Sequence, residues 1–259
     1  MKSDMKIPLC FFSVIYGALL LLIFSACGNP NAVSVATDNG FVPFEFVDES
    51  TGELVGFDID LIQAVAEEAG LELNINAMEF DGIIAGIRSG RHDIGIAGIT
   101  ITEARDAVID FSDPYYNAGL LLTVSSGNRT ITSEADLAGK KVGTRTGSTS
   151  ETYLRENHPE ADVEAFPGII EAYMDLEAGR LDAVLYDAPN VRYYVHKDKA
   201  TDLKTVGDIL QGEQYGIAFP EGSPLVAKVN TALATLKANG TYDRIHAKWF
   251  GEDAEAAGD

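Results

Sequence analysis

Hydrophobic and polar positions follow two periods along this chain. Val33–Thr37 is a short β-like run, and Leu54–Phe57 reads as another. From Asp58 onward, Ile59, Ile62, Val65, Ala66 and Ala69 recur at three- and four-residue spacing, the period of one helix face. Gly70 supplies the stop. Leu71, Leu73, Ile75 and Ala77 then alternate with polar residues, as in a half-buried strand. Ile83, Ile84 and Ile87 predict the next helix, stopped by Gly90, and Asp93–Ala97 predicts a strand. The plan restarts downstream. Ser133 caps a short helix through Leu137, and Lys141–Arg145 is a strand. Gly147-Ser148-Thr149-Ser150-Glu151 is a turn that opens a helix. A helix runs from Ile169 to Ala178 and stops at Gly179, and Ala183–Tyr186 is a strand. Strands alternating with helices of about ten residues predict an α/β architecture with mostly parallel sheet order.

One internal echo stands out. Ser89-Gly90-Arg91-His92-Asp93 leads into Ile94-Gly95-Ile96-Ala97, and Ala178-Gly179-Arg180-Leu181-Asp182 leads into Ala183-Val184-Leu185-Tyr186. Both read as helix, Gly-Arg-x-Asp, buried strand. Either this is a common α-to-β loop, since Gly is a usual helix stop, or it marks two lobes of one plan. Open α/β sheets bind ligands beyond the carboxyl ends of their strands. The segments to inspect are therefore Gly98–Arg105 and Asp187–Asn190.

The chain opens with a different texture. Lys2 and Lys6 precede an almost uncharged apolar run, Ile7 to Phe24, which ends in Ser25-Ala26-Cys27. Basic, apolar and small-residue regions in that order predict a secretory signal, although a run of this length is also near the lower limit for a membrane span. The Ser-Ala-Cys ending resembles a bacterial lipobox. It implies that residues 1–26 are removed and that Cys27 carries lipid. Cys10 falls inside the discarded run, so the remainder holds no other thiol and no disulfide. The net charge of −21, from 40 acidic and 19 basic side chains, excludes a nucleic-acid binder, which needs clustered Lys and Arg. The histidines, His92, His158, His196 and His246, are scattered, so no metal site is expected.

At the two strand ends the chemistry is complementary. Thr102 caps a helix that carries Arg105 in its first turn, so helix-start amides and a guanidinium converge on a carboxylate-sized target. Asp187 follows the second strand, with Pro189 early in the next helix. An acidic group facing a cleft suits an ammonium. Gly147–Ser150 adds amides and hydroxyls at a third helix start. Taken singly, such an Arg is a solvated side chain and such an Asp a helix cap. Together they describe a site for an amino-acid zwitterion.

Several motifs carry a resemblance. Gly56-Phe57-Asp58-Ile59-Asp60-Leu61 with Val65-Ala66 is similar to the signature of family 3 extracellular solute-binding proteins. So are Ala36-Thr37-Asp38 with Phe41-Val42-Pro43-Phe44-Glu45-Phe46, and Phe80-Asp81-Gly82-Ile83-Ile84. Ala97 through Thr102, Ile109-Asp110-Phe111-Ser112-Asp113 with Tyr115-Tyr116, and Asp182-Ala183-Val184-Leu185 continue the series. Gln214 through Pro220, Asn239-Gly240-Thr241-Tyr242 and Lys248-Trp249-Phe250-Gly251 complete it. The pattern is closest to the family's glutamine-binding members.

The resemblance implies a two-lobed periplasmic-binding-protein fold of type 2, hinged, with chain crossovers near Tyr115–Gly119 and Gln211–Tyr215. Residues 27–32 would form the lipidated N-terminus and linker. Residues 33–115 plus 216–251 would form lobe 1, 116–215 lobe 2, and 252–259 a disordered acidic tail. Arg105 would pair with the ligand α-carboxylate, helped by Thr100 and the Thr149 amide. Asp187 and the Gly98 carbonyl would hold the α-ammonium. Phe41 and Phe80 would flank the ligand stem, and Ala97 and Ser148 would line the same cleft. Asp38, Arg145 and Tyr186 would face the ligand side chain. One acceptor and one donor suit a terminal amide, so glutamine is the expected ligand, with another polar, basic or acidic amino acid as the alternative. Three positions depart from the glutamine receptors, which carry Lys, His and Gly at the places of Arg145, Tyr186 and Thr149.

The expected partners are an ABC permease and, through lipid at Cys27, a membrane. The expected state is a monomer, outside the cytoplasm, with no cofactor. A cyclohexadienyl dehydratase shares this fold and is the rival enzymatic reading. It needs a general acid over the substrate ring, for which Asp38 or Glu45 would be the candidates, but neither lies in a motif of that activity. A sensory module is the other rival; no second span or signalling domain is expected after Gly251.

Overall fold

The computed structural model describes residues 31–197 and 202–251. The predicted signal segment, Cys27 and the acidic tail 252–259 lie outside the described residues. Those described belong to one unit that begins at Asn31.

Two five-stranded sheets organise this unit. The first is built on β1 (Val33–Thr37). β1 runs parallel to β5 (Leu73–Ala77) on one side, in register from Val33↔Leu73 to Thr37↔Ala77, and to β6 (Ile94–Gly95) on the other. Between them in sequence lie β2 (Gly40–Phe41), β3 (Glu45–Val47) and β4 (Leu54–Val55), which form a small antiparallel sheet. Helices α1 (Phe57–Ala69), α2 (Phe80–Arg88) and the four-residue α3 (Glu103–Asp106) complete this part. At the edge of the sheet is β7 (Asp110–Phe111).

The second sheet has the order β10-β9-β11-β8-β12. Here β8 is Tyr116–Ser125, β9 Lys141–Arg145, β10 Asp162–Phe166, β11 Ala183–Asp187 and β12 Leu203–Tyr215. Its helices are α4 (Thr149–Asn157), α5 (Ile169–Glu177) and α6 (Ala188–Lys197). The chain then returns to the first sheet through β13 (Ala218–Phe219), which is antiparallel to both β6 and β7. It ends in α7 (Leu225–Ala238) and α8 (Thr241–Phe250). The fold is thus the two-lobed periplasmic-binding-protein arrangement, and one lobe is assembled from two stretches of sequence.

The echoed loops do the same job in each lobe. Gly90 and Gly179 both take a left-handed φ, +68° and +70°. Each donates its N–H to the end of the preceding helix, at the Ile87 and Leu176 carbonyls. Asp93 then accepts the Ser34 N–H of β1 at 2.8 Å, and Asp182 accepts the Lys141 N–H of β9 at 2.9 Å. Each Gly-Arg-x-Asp loop therefore ties the returning chain to the founding strand of its sheet.

The chain passes between the lobes along β8 and β12, which pair antiparallel with Tyr215 opposite Tyr116. Aromatic packing fixes this crossing. Tyr116 and Tyr215 stack at 5.8 Å, Phe44 lies 5.0 Å from Tyr116, and Phe57 lies 5.3 Å from Phe250. The Tyr242 hydroxyl donates to the Tyr115 carbonyl at 2.6 Å. Several element boundaries differ from the sequence reading: the strand expected over Asp93–Ala97 spans only Ile94–Gly95, and the one expected from Leu71 begins at Leu73. The run Leu54–Phe57 is a strand only through Val55, because Phe57 already opens α1. The Ser133 helix is a single 3-10 turn, Glu134–Asp136, in which Asp136 returns the capping bond.

Candidate functional site

Between the lobes lies a small cavity, partly open to solvent. Phe41, Phe80, Ala97, Gly98, Thr100 and Arg105 line it from the first lobe, and Ser148, Thr149, Tyr186 and Asp187 from the second. All ten were singled out in the sequence. Asp38 and Arg145 meet each other beside it.

Arg105 is placed by its short helix. Thr102 caps that helix by accepting the Arg105 N–H at 3.2 Å. The guanidinium donates from Nη1 to the Thr100 carbonyl at 2.8 Å and from Nη2 to the Gly147 carbonyl at 3.2 Å, reaching across to the other lobe. Burial lowers its pKa, while the negative charges of Asp187 and Glu213 work against that. Asp187 closes β11 and is 5 % exposed. Burial pushes its carboxyl well above the usual range, and the nearby Glu213 carboxylate adds to this. The Tyr215 hydroxyl donates to its Oδ2.

Gly98 stands where only a glycine fits. Its φ is +53°, and a Cβ there would come within 2.3 Å of the Phe41 ring. Its N–H donates to Asp58 Oδ2 at 2.9 Å, and the Tyr115 hydroxyl donates to the same oxygen at 2.8 Å. Behind it, Glu45 is fully buried. Desolvation, and then the neighbouring Asp58 and Asp38 charges, raise the Glu45 pKa well above its ordinary value. Burial also pushes Asp58 up to about 6. Asp58 Oδ1 and both Glu45 oxygens are buried without a hydrogen-bond partner. Asp58 thus anchors the Gly98 turn from below, with the buried Glu45 carboxyl beside it.

The side-chain end of the cleft holds a buried ion pair between lobes. Arg145 Nη1 lies 2.5 Å from Asp38 Oδ2, with both side chains almost fully enclosed. Arg145 Nε also donates to the Pro167 carbonyl at 3.1 Å. Burial alone would lower the Arg145 pKa, but Tyr186 and Asp38 more than offset it and push it up. Asp38 Oδ1 is buried without a hydrogen-bond partner. Phe80, the first residue of α2, lies under both cations: Arg145 is 5.1 Å and Arg105 5.6 Å from its ring centre. Phe41 stacks on Phe44 at 4.9 Å and meets Tyr186 edge-on at 5.8 Å. Ser148 caps α4 by accepting the Glu151 N–H at 3.2 Å and donates its own proton to the Arg145 carbonyl at 2.6 Å.

Sequence reasoning did not pick out Glu213, Asp58 or Asn190 as contributors. Asn190 donates to the Val42 carbonyl at 2.6 Å and accepts from Tyr173 at 2.8 Å, so it ties α6 to the other lobe. Its position within Asp187–Asn190 was the available signal. No group of three or more His, Cys, Asp or Glu among the described residues is placed to hold a metal. No helix among them is long and apolar enough to cross a membrane.

The fold and cleft define a two-lobed receptor for a small solute. The family described as bacterial extracellular solute-binding proteins, family 3, matches residues 33–252, and this chain belongs to it. The L-cystine-binding protein TcyJ of Escherichia coli (strain K12) is 34% identical over 221 residues, covering 85% of this chain and 82% of its own. Other relatives bear the names of arginine-, histidine- and glutamine-binding proteins. A solved ancestral arginine-binding protein bound to glutamine is 46% identical, with a TM-score of 0.81, over 86% of this chain and 99% of that one. An ancestral arginine-binding protein bound to arginine is 45% identical, with a TM-score of 0.82, over 85% and 99%. The curated relatives are named as amino-acid-binding proteins, and a similar solved structure, 37% identical with a TM-score of 0.79, is the ancestral amino-acid-binding protein AncCDT-1, a precursor of cyclohexadienyl dehydratase.

Proposed function

We propose that this chain captures a polar L-amino acid, glutamine first, in the cleft between its lobes and delivers it to an ABC transporter permease. The observation that carries this reading is the convergence of Arg105 from one lobe and Asp187 from the other on one small cavity. A zwitterion offers both a carboxylate and an ammonium, so each lobe holds one end and the ligand draws them together. Lobe 1 is residues 33–115 with 216–251, and lobe 2 is 116–215. They close by rotation about the paired crossings.

Glutamine is favoured by charge balance. Arg105 and Asp187 offset the ligand's two charged ends, and Asp38 and Arg145 offset each other. A neutral side chain leaves that balance intact, whereas a cationic or anionic one meets a like charge. Arginine is the second reading. The partnerless Asp38 Oδ1 is a buried acceptor that a guanidinium would fill, and the ancestral arginine-binding proteins are its close structural relatives. The dehydratase reading has less support, because Asp38 is engaged with Arg145 and Glu45 does not line the cavity.

The protein acts outside the cytoplasm as a monomer, held to a membrane by lipid at Cys27 after removal of residues 1–26. The test is a thermal-shift and calorimetric screen of all twenty amino acids. A bound ligand stabilises the folded protein by mass action. A shift led by glutamine or arginine supports the reading. No shift with any amino acid overturns it.

A further inference from the structure

The hinge strand β12 carries a carboxylate into the cleft region that the zwitterion reading does not use. Glu213 is 7 % exposed. The Thr100 hydroxyl donates to its Oε2 at 3.4 Å, and the Thr149 side chain approaches the same carboxylate from the other lobe. The meeting of Glu213 with Thr100 is enforced by backbone. Thr100 bridges to Tyr215, the Ile101 N–H donates to the Gln214 carbonyl at 2.8 Å, and the Gly216 N–H donates to the Ile99 carbonyl at 3.0 Å.

We infer that Glu213 is a positioning residue for α-amino recognition: by accepting the Thr100 hydroxyl proton, it leaves that oxygen as an acceptor on the cleft side. The inference rests on the amino-acid reading above. A hydroxyl has one proton and two lone pairs. With its proton on Glu213, Thr100 Oγ1 has none for a ligand carboxylate. The Thr100 hydroxyl therefore serves the ammonium end, whatever its backbone contributes to the carboxylate. Its backbone carbonyl is already engaged by Arg105. Asp187 is set the same way, since Tyr215 donates to it. Together with the Gly98 carbonyl, the ammonium end then presents only acceptors. An ammonium with three protons fits such a wall, and a hydroxyl or methylene in its place does not. Around Glu213 stand Arg105 from α3, Asp187 from β11 and Tyr215 on its own strand.

The experiment compares two ligands by titration calorimetry. One is whichever of L-glutamine and L-arginine the wild-type protein binds more tightly. The other is the same molecule without its α-amino group, 4-carbamoylbutanoate or 5-guanidinopentanoate. Glu213→Leu is expected to reduce the preference for the amino acid by at least about tenfold, the size of one lost hydrogen bond to a charged group, with affinity for the analogue changed by less than about threefold on the same scale. Thr100→Val should produce the same loss, and the double variant should lose no more than either alone. A preference within about twofold of wild type in Glu213→Leu, or additive losses in the double variant, overturns the inference. If Glu213→Leu does not fold, Thr100→Val decides alone, and an unchanged preference overturns it. A wild-type protein that binds the amino acid and its analogue equally overturns this inference only. One that binds no amino acid overturns the proposed function with it.

Discussion

Replacing Arg145 with Met should turn the cleft from a site for a neutral side chain into one for a cation. Arg145 is 2 % exposed and sits 2.5 Å from Asp38, which is 1 % exposed. Removing the guanidinium leaves a buried carboxylate whose Oδ1 already lacks a partner. Breaking a buried pair from one side costs about 3 to 5 kcal/mol, so the variant should be less stable by that order. A ligand guanidinium arriving at Asp38 would recover part of the loss, and a glutamine amide would recover less. If half of it returns selectively with the cation, the arginine-to-glutamine ratio rises by roughly tenfold to a hundredfold, since 1.4 kcal/mol is one factor of ten. Thermal unfolding measures the stability, and calorimetry with L-arginine and L-glutamine measures the ratio. A folded Arg145→Met protein whose ratio lies within about threefold of wild type, a span below 1 kcal/mol, would refute the charge-balance argument. Arg145→Lys keeps the charge but not the planar fork, and it should change the ligand ranking more than the stability.

Three further outcomes are expected. Arg105→Ala should abolish amino-acid binding while the fold persists, with a loss of about 3 to 5 kcal/mol for the unpaired ligand carboxylate; calorimetry showing affinity within about threefold of wild type would end that assignment. The buried Glu45 and Asp58 have folded pKa values above their unfolded ones, so the folded protein holds extra protons. Their contribution to stability is fully present below the unfolded values near 4 and is lost as pH rises through about 6 and beyond. Urea midpoints should fall from pH 5 toward 8, at up to about 1.4 kcal/mol per pH unit for each proton, and Glu45→Gln should flatten that slope; an equal slope in the variant would count against Glu45 as one of the groups responsible. Cys27→Ser should release the protein from membranes in cell fractionation, and continued retention would argue for another anchor.

Much of the fold was written in local periodicity. The 3.6-residue stripe from Ile59 to Ala69 and the Gly70 stop place α1 to within one residue. Lys141–Arg145 and Val33–Thr37 coincide with β9 and β1. Local chemistry also marked the cleft, because strand-end segments converge there whatever the details of packing. The crossing strands were harder. In β8, Leu120–Val124 is buried on both faces, so it shows no alternation. In β12, the register shifts twice and Gln211 takes a φ of +47°, which breaks any period. Glu213 stayed hidden for the same reason. Its partner Thr100 is far away in sequence, and only the closing of the first sheet by β13 brings them together. In the sequence Glu45 stood only as a candidate general acid of the rival enzymatic reading, and Asp58 only as the start of a helical pattern within a motif. The role of Asp58 depends on Gly98 folding down onto it.

In the proposed function one dipolar molecule is gripped at both ends, one end by each lobe. A crystal structure of the protein with its tightest-binding amino acid tests that most directly. The predicted result is an α-carboxylate within hydrogen-bond reach of the Arg105 guanidinium, an α-ammonium on Asp187, and the side-chain tip beside Asp38 and Arg145. A ligand lying elsewhere, or one held by a single lobe with Arg105 still bound only to Thr100 and Gly147, would contradict it.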